Sequence, residues 1–231
     1  MTTRRITFSL DEFYHLYSRG VDKRLIFLDD QDKKRFVKLL YVCNGTKPVI
    51  YKTIQALPLD EIEIGERLVA IGAYCLMPNH FHLLIREVSE GGAVKFMSKL
   101  LTAYSSYFNK KYDRTGALFG SEFKSTHADN DEYLKYLFAY IHLNPLKLAY
   151  PRWKEDINNI DLEDKGLFLK DYAFSSYPSY IEGIAQDNLI LSTMSFPEYF
   201  LNSSEWKEDI NSWISTSDLI QALPLDKTVD K

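Results

Sequence analysis

Residues 80–85 read His-Phe-His-Leu-Leu-Ile directly behind Pro78-Asn79, and this run limits the folds open to the chain more than any other. Side chains in a β-strand alternate faces with period two. His80 and His82 therefore point one way, while Phe81, Leu83 and Ile85 point the other and can fill a core. Pro78-Asn79 supplies a turn ahead of the strand. A strand that is apolar on both faces yet opens with two imidazoles on one of them is the signature of a site on a buried sheet. Two neutral imidazoles side by side form half of a divalent-metal site.

The surrounding pattern gives an order of elements. Residues 12–19 alternate and read as a strand ending at Arg19-Gly20. Asp29-Asp30 caps a helix running to about Cys43, stopped by Asn44-Gly45, and residues 46–64 are irregular. Strands are expected over 67–76 and 80–87, a long helix over 93–112, and a fourth strand over 118–127. Asp129-Asn130-Asp131-Glu132 then opens a helix with helical periodicity from Tyr133 to Ile141, which Pro145 stops by disfavouring the α region at Asn144. The first six elements, β-α-β-β-α-β, match a ferredoxin-like α+β fold: an antiparallel sheet with helices on one face, plus the last helix. Tyr140 and Asn144 are four apart and share one face of that helix.

Three groups of residues now carry a resemblance. Phe13-Tyr14-His15-Leu16-Tyr17-Ser18-Arg19-Gly20, Met77-Pro78-Asn79-His80-Phe81-His82 and Tyr140-Ile141-His142-Leu143-Asn144-Pro145 together resemble the single-tyrosine HUH transposases (transposase IS200-like family), in the branch of the REP-associated tyrosine transposases. Leu118-Phe119-Gly120-Ser121-Glu122-Phe123-Lys124 looks like the segment ahead of the tyrosine helix in that branch. Ala173-Phe174-Ser175-Ser176-Tyr177 looks like its downstream Trp-Ser-Ser-Tyr element, with Phe174 in place of Trp. The resemblance covers residues 12–180 or so.

It implies that His80 and His82 bind Mg²⁺ or Mn²⁺, that Tyr140 attacks DNA, and that Asn144 completes the metal shell. The product would be a 5′-phosphotyrosine and a free 3′-hydroxyl, and the stored bond would allow rejoining. The implied partner is single-stranded or hairpin DNA, with a homodimer possible because related enzymes exchange the tyrosine helix. A non-cleaving, domesticated hairpin-binding protein is the alternative, and a phosphodiesterase using water in place of Tyr140 is a third. Tyr136 and Tyr133 compete with Tyr140 by spacing, but Tyr140 alone has the Tyr-Ile-x-Leu-Asn-Pro context. His142 faces away from Tyr140 and reads as structural, whereas His15 and His127 lie on strands from which they could approach the site, with packing or DNA contact the preferred reading.

Charge sorts the chain into two parts. It carries −4 overall, which sits awkwardly with a nucleic-acid partner. Residues 1–150, the expected catalytic domain, hold 21 Lys and Arg against 17 Asp and Glu. Residues 151–231, an acidic C-terminal extension expected to pack on it, hold 7 against 15. Candidate phosphate contacts are Arg19, Lys23, Arg24, Lys110, Lys111, Arg114 and Lys124. Tyr104, Tyr107, Phe108, Tyr112 and Phe119 interleave with the later cations, as either stacking platforms or helix core. No apolar run is long enough for a membrane span, no signal peptide is visible, and Cys43 and Cys75 suit a reducing, cytoplasmic setting. The heptapeptide Ile-Gln-Ala-Leu-Pro-Leu-Asp occurs at 54–60 and again at 220–226, a repeat with no evident physical role.

Overall fold

Alternation in the His-Phe-His strand is realised as a two-sided sheet. The computed structural model describes residues 7–48, 50–120, 122–151, 162–185 and 188–198. Strands β1 (Phe13–Arg19), β2 (Val69–Met77), β3 (His80–Glu87) and β4 (Lys124–Ala128) form one sheet in the order β2-β3-β1-β4. Neighbours are antiparallel throughout. With α1 (Asp30–Val42) between β1 and β2 and α3 (Gly92–Lys111) between β3 and β4, this is the expected ferredoxin-like arrangement. A short α2 (Tyr51–Ile54) and a 3₁₀ turn at Leu59–Glu61 lie in the stretch read as irregular.

One face of the sheet takes the apolar half of β3. Phe81, Leu83 and Ile85 are fully buried there, each contributing about 1.5–3 kcal/mol over exposure. Phe81 packs on Phe36 of α1, ring centroids 4.7 Å apart, and Phe36 meets Tyr104 of α3 edge-on at 4.9 Å. α4 (Asp131–Leu143) covers the opposite face, bringing Tyr140 over His82. Asn130 caps this helix, accepting from the Tyr133 N–H at 2.8 Å. The helices of the ferredoxin-like core thus share one side, and the tyrosine helix closes the other.

The expected strand over 118–127 is shortened at its start. Leu118 and Phe119 are buried, but among the described residues of this stretch a single bridge, Gly20 with Phe119, precedes β4. Asp22 and Lys23 adopt positive φ (53° and 59°) and turn the chain away after β1, so the earlier residues have no strand to continue along.

Edge strand β2 is covered by the downstream Ser-Ser-Tyr element. The Leu76 N–H donates to Phe174 O and the Ser176 N–H to Tyr74 O, each at 2.9 Å, while Tyr180 Oη reaches Gly72 O at 2.6 Å. The segment satisfies backbone groups that an open edge would leave exposed. β2 carries a bulge between Ile71 and Ala73, and a Cβ on Gly72 would lie 2.5 Å from the Phe196 ring, so only glycine fits. Trp153, Trp206, Trp213 and the second heptapeptide copy all lie outside the described residues.

α1 and α3 are fastened by a buried carboxylate. Asp32 accepts from the Leu28 N–H (2.8 Å), Tyr107 Oη (2.9 Å), Tyr112 Oη (2.7 Å) and Lys111 Nζ (2.8 Å). Burial pushes its pKa up, but Lys111, the Leu28 N–H and the two phenols outweigh this and hold it below the usual value. Replacing Asp32 by Ala leaves the Tyr107 phenol without its acceptor and Lys111 with Asp29 alone, and should destabilise the fold by about 1–3 kcal/mol. Urea unfolding of D32A checks this; an unchanged midpoint would show the network to be incidental.

Candidate active site

The site face is assembled by strand register. Across the sheet, Cys75, His82, Tyr17 and Lys124 form one row, and Met77, His80 and Arg19 the next. His80 is 7% exposed and His82 fully buried, their ring centroids 4.9 Å apart and nearly perpendicular. Tyr140, on α4, meets His82 edge-on at 5.4 Å between centroids. The two histidines and the tyrosine singled out in the sequence therefore come together within one chain.

Hydrogen bonds decide which ring nitrogens carry lone pairs. Asn79 Nδ2 donates to Lys23 O at 3.2 Å, which orients its amide. Its Oδ1 then accepts from His80 Nδ1 at 2.6 Å, so in the neutral ring the lone pair lies on Nε2. His82 Nδ1 bonds His15 Nε2 at 2.8 Å, and His82 Nε2 is buried with no hydrogen-bond partner among the described residues. Burial, followed by the charges of His80, His15 and Lys147, holds the pKa of His82 well below the ordinary range, so the ring stays neutral. A buried imidazole with an unmatched nitrogen suits a cation ligand, and His15 stands behind it as the outer partner that fixes ring orientation. His15 is thus in the site, the less favoured of the two readings that the sequence left open. Its histidine-versus-strand spacing carries no sign of a partner 67 residues away.

Asn144 is drawn to other groups. Its Nδ2 donates to Tyr140 O at 3.0 Å, and its Oδ1 accepts from Lys147 Nζ at 3.2 Å. To bind a metal, that oxygen would have to exchange Lys147 for the ion. Asn144 also keeps α-helical angles (φ −53°, ψ −40°) despite the following proline, contrary to the expected break. Among the described residues no group of three or more His, Cys, Asp and Glu is arranged so that it could hold a metal ion.

The remaining tyrosines and histidines are placed apart. Tyr133, Tyr136 and Tyr140 stack in sequence at 6.0 Å intervals, but Tyr140 is the one in ring contact with His82. His142 is fully buried on the other side of α4 and bonds Ser176 Oγ at 2.6 Å. His127 pairs with Glu12 at 2.8 Å and stacks on Tyr14, away from the site.

The candidate phosphate contacts divide by layer. Arg19 and Lys124 share the site face, with Lys124 Nζ 5.8 Å from the Tyr17 ring. Lys23 and Arg24 lie in the loop wrapped against the β2–β3 turn, where Ile26 N–H donates to Pro78 O, and Arg24 pairs with Asp22 at 3.6 Å. Lys110, Lys111 and Arg114 sit at the end of α3, in the helix layer behind the sheet. Lys111 is matched there by Asp29 and Asp32, and Arg114 bonds Asn109. Tyr104, Phe108 and Phe119 are core residues, which removes them as stacking platforms.

A ferredoxin-like sheet with paired histidines facing a helical tyrosine defines the class of this domain. The family model described as "Transposase IS200 like" matches residues 59–144, the segment that carries β2, β3, β4 and the tyrosine helix, and supports a DNA transposase. No curated protein matches the chain. Among solved structures, the chain is similar to a REP-associated tyrosine transposase bound to a REP hairpin, at 13% identity and a TM-score of 0.46, covering 79% of this chain and 86% of that one. It is also similar to tRNA(His) guanylyltransferase from Saccharomyces cerevisiae, at 10% identity and a TM-score of 0.34, covering 86% of each chain. No helix among the described residues is long and apolar enough to cross a membrane.

Burial lowers the pKa of His142 to about 3, so the folded chain binds fewer protons than the unfolded one once pH falls below about 6.5. Stability present at pH 7 is then lost on acidification, by roughly 2 kcal/mol at pH 5 from this residue alone. Denaturant titrations from pH 7 to 5 should show the fall, and H142L should flatten it. A slope unaltered in H142L would mean that His142 is protonated at little cost.

Proposed function

We propose that this protein is a metal-dependent DNA transesterase that nicks and rejoins single-stranded or hairpin DNA through a 5′-phosphotyrosine. The observation that carries the reading is the buried, unmatched His82 Nε2 held beside His80 and under the edge of the Tyr140 ring. The family match over the same elements supports it.

His80 and His82 would hold Mg²⁺ or Mn²⁺ through their Nε2 atoms. When bound, such an ion polarises a phosphoryl oxygen and stabilises charge in the transition state. The rest falls to the chain. His15 and Asn79 hold the two rings in their ligating tautomers. α4 presents Tyr140, whose phenol is a weak nucleophile with an unperturbed pKa of about 10 and depends on positioning. Its Oη forms a bond to phosphorus as the bond from phosphorus to the 3′-oxygen breaks. The phenolic proton passes to solvent, and the departing oxygen takes one to become a 3′-hydroxyl. Attack by a 3′-hydroxyl on the adduct reverses these changes and reseals a strand with no nucleotide cofactor. Arg19 and Lys124, which share that face, would meet the DNA backbone.

The test uses single strands from the DNA flanking the gene, labelled at the 3′ end and incubated with Mg²⁺ or Mn²⁺. Wild type should give a labelled band at protein mass on a denaturing gel. Y140F should lose the band while binding DNA within about twofold, since only one hydroxyl is removed. H80A and H82A should slow adduct formation by more than about a hundredfold. Cut DNA without a protein-linked band would point to hydrolysis by water, and retarded but uncut DNA to a non-cleaving hairpin binder; either rejects the phosphotyrosine route.

A further inference from the structure

α5 (Leu146–Ala149) brings a cation against the tyrosine that the motifs do not explain. Asn144 and Pro145 both keep right-handed helical angles, so the chain runs from α4 into α5 without leaving a helical path. Tyr140, Asn144 and Lys147 are consequently spaced i, i+4 and i+7 along one helical face. Lys147 Nζ lies 3.2 Å from Asn144 Oδ1 and 5.5 Å from the centroid of the Tyr140 ring. Cys75, directly across the ladder from His82, is wholly buried, and the Lys147 charge is felt at both side chains. This ammonium thus borders the buried rings of the site.

We propose that Lys147 is a catalytic residue: its ammonium, aimed by Asn144, binds a non-bridging oxygen of the phosphodiester that Tyr140 attacks. The inference rests on the transesterase reading above. An ammonium carries three N–H donors and can bridge an amide oxygen and a phosphate oxygen. As a compact point charge it suits a phosphoryl group in transfer. The bond from Tyr140 Oη to phosphorus forms, the bond to the 3′-oxygen breaks, and the two protons are exchanged with solvent as described. On this assignment Asn144 is a positioning residue for Lys147, and its amide oxygen is engaged by the ammonium.

Two measurements on the full chain test this. The first compares adduct formation at saturating DNA in wild type, K147M and K147R. K147M should be at least about tenfold slower even at saturating Mn²⁺, and K147R should recover part of the rate. The second measures binding in chelator by fluorescence anisotropy, using the mapped cleavage strand with either a phosphate or a neutral methylphosphonate at the scissile position. Wild type should bind the neutral linkage about tenfold more weakly, and K147M should bind the two alike.

Equal binding of both strands by wild type overturns the proposal without recourse to any variant. So does undiminished discrimination, or an unchanged rate, in K147M. A wild type that forms no adduct at all instead rejects the transesterase reading, and the role of Lys147 falls with it.

Discussion

The antiparallel register between β1 and β3 is the constraint on which everything else hangs. It sets Tyr17 opposite His82 and Arg19 opposite His80, and it brings His15 within bonding distance of His82. Because the side-chain period is two, a slip of one residue would turn both histidines into the helix layer and expel Phe81, Leu83 and Ile85 from it. At about 1.5–3 kcal/mol for each of those three side chains, the apolar half of the strand holds the polar half in place. The site is therefore as rigid as the core behind it.

A sheet with helices on one side leaves its second face bare, and here that face is filled by the element bearing the tyrosine. α4 is apolar nearly all round: Leu134, Leu137, Phe138, Ile141 and Leu143 are buried along with Tyr140. The helix is in turn held between the sheet and the downstream segment, since His142 bonds Ser176 and Phe138 packs edge-on against Tyr180 at 4.9 Å. Ser176 also ties to the backbone of Tyr74 in β2. The Ser-Ser-Tyr element thus closes the sheet edge and pins the tyrosine helix from behind. It thereby sets where Tyr140 stands over the sheet.

What could be read from the sequence was what local periodicity encodes. The two-residue alternation of β3, the capping residues of α1 and α4, and the four-residue spacing of Tyr140 and Asn144 all lie within one element or its flanks. The order of elements was enough to give the sheet. The His15–His82 bond, by contrast, spans 67 positions and depends on register, which no single segment specifies. The aromatics near Lys110 and Lys111 were ambiguous because a helix core and a stacking surface use the same residues. Burial assigned Tyr104, Phe108 and Phe119 to the core, and Asp32 claimed Tyr107 and Tyr112. Lys147 was hidden by Pro145: a proline after Asn144 read as the end of the helical face, whereas the backbone stays helical through it.

The charge of the site has a consequence for how DNA and metal would be held. The rings around His82 are His15, Tyr17, His80 and Tyr140, and the burial of His82 keeps it neutral. Imidazoles and phenols contribute no negative charge, unlike the carboxylates that balance many divalent-ion sites. A divalent cation on these rings would share a poorly solvated pocket with Lys147, and like charges in such surroundings repel strongly. A phosphodiester entering the pocket relieves that repulsion and is attracted by both cations. On the proposed reading each ligand therefore strengthens the other, and by linkage the strengthening is reciprocal. A neutral histidine pair beside a lysine would make the site weak toward metal alone and selective for metal together with a backbone phosphate. On the same reading an overall charge of −4 is no obstacle, since the cations that would meet DNA are needed where the phosphate would be cut and the rest of the surface need not be basic.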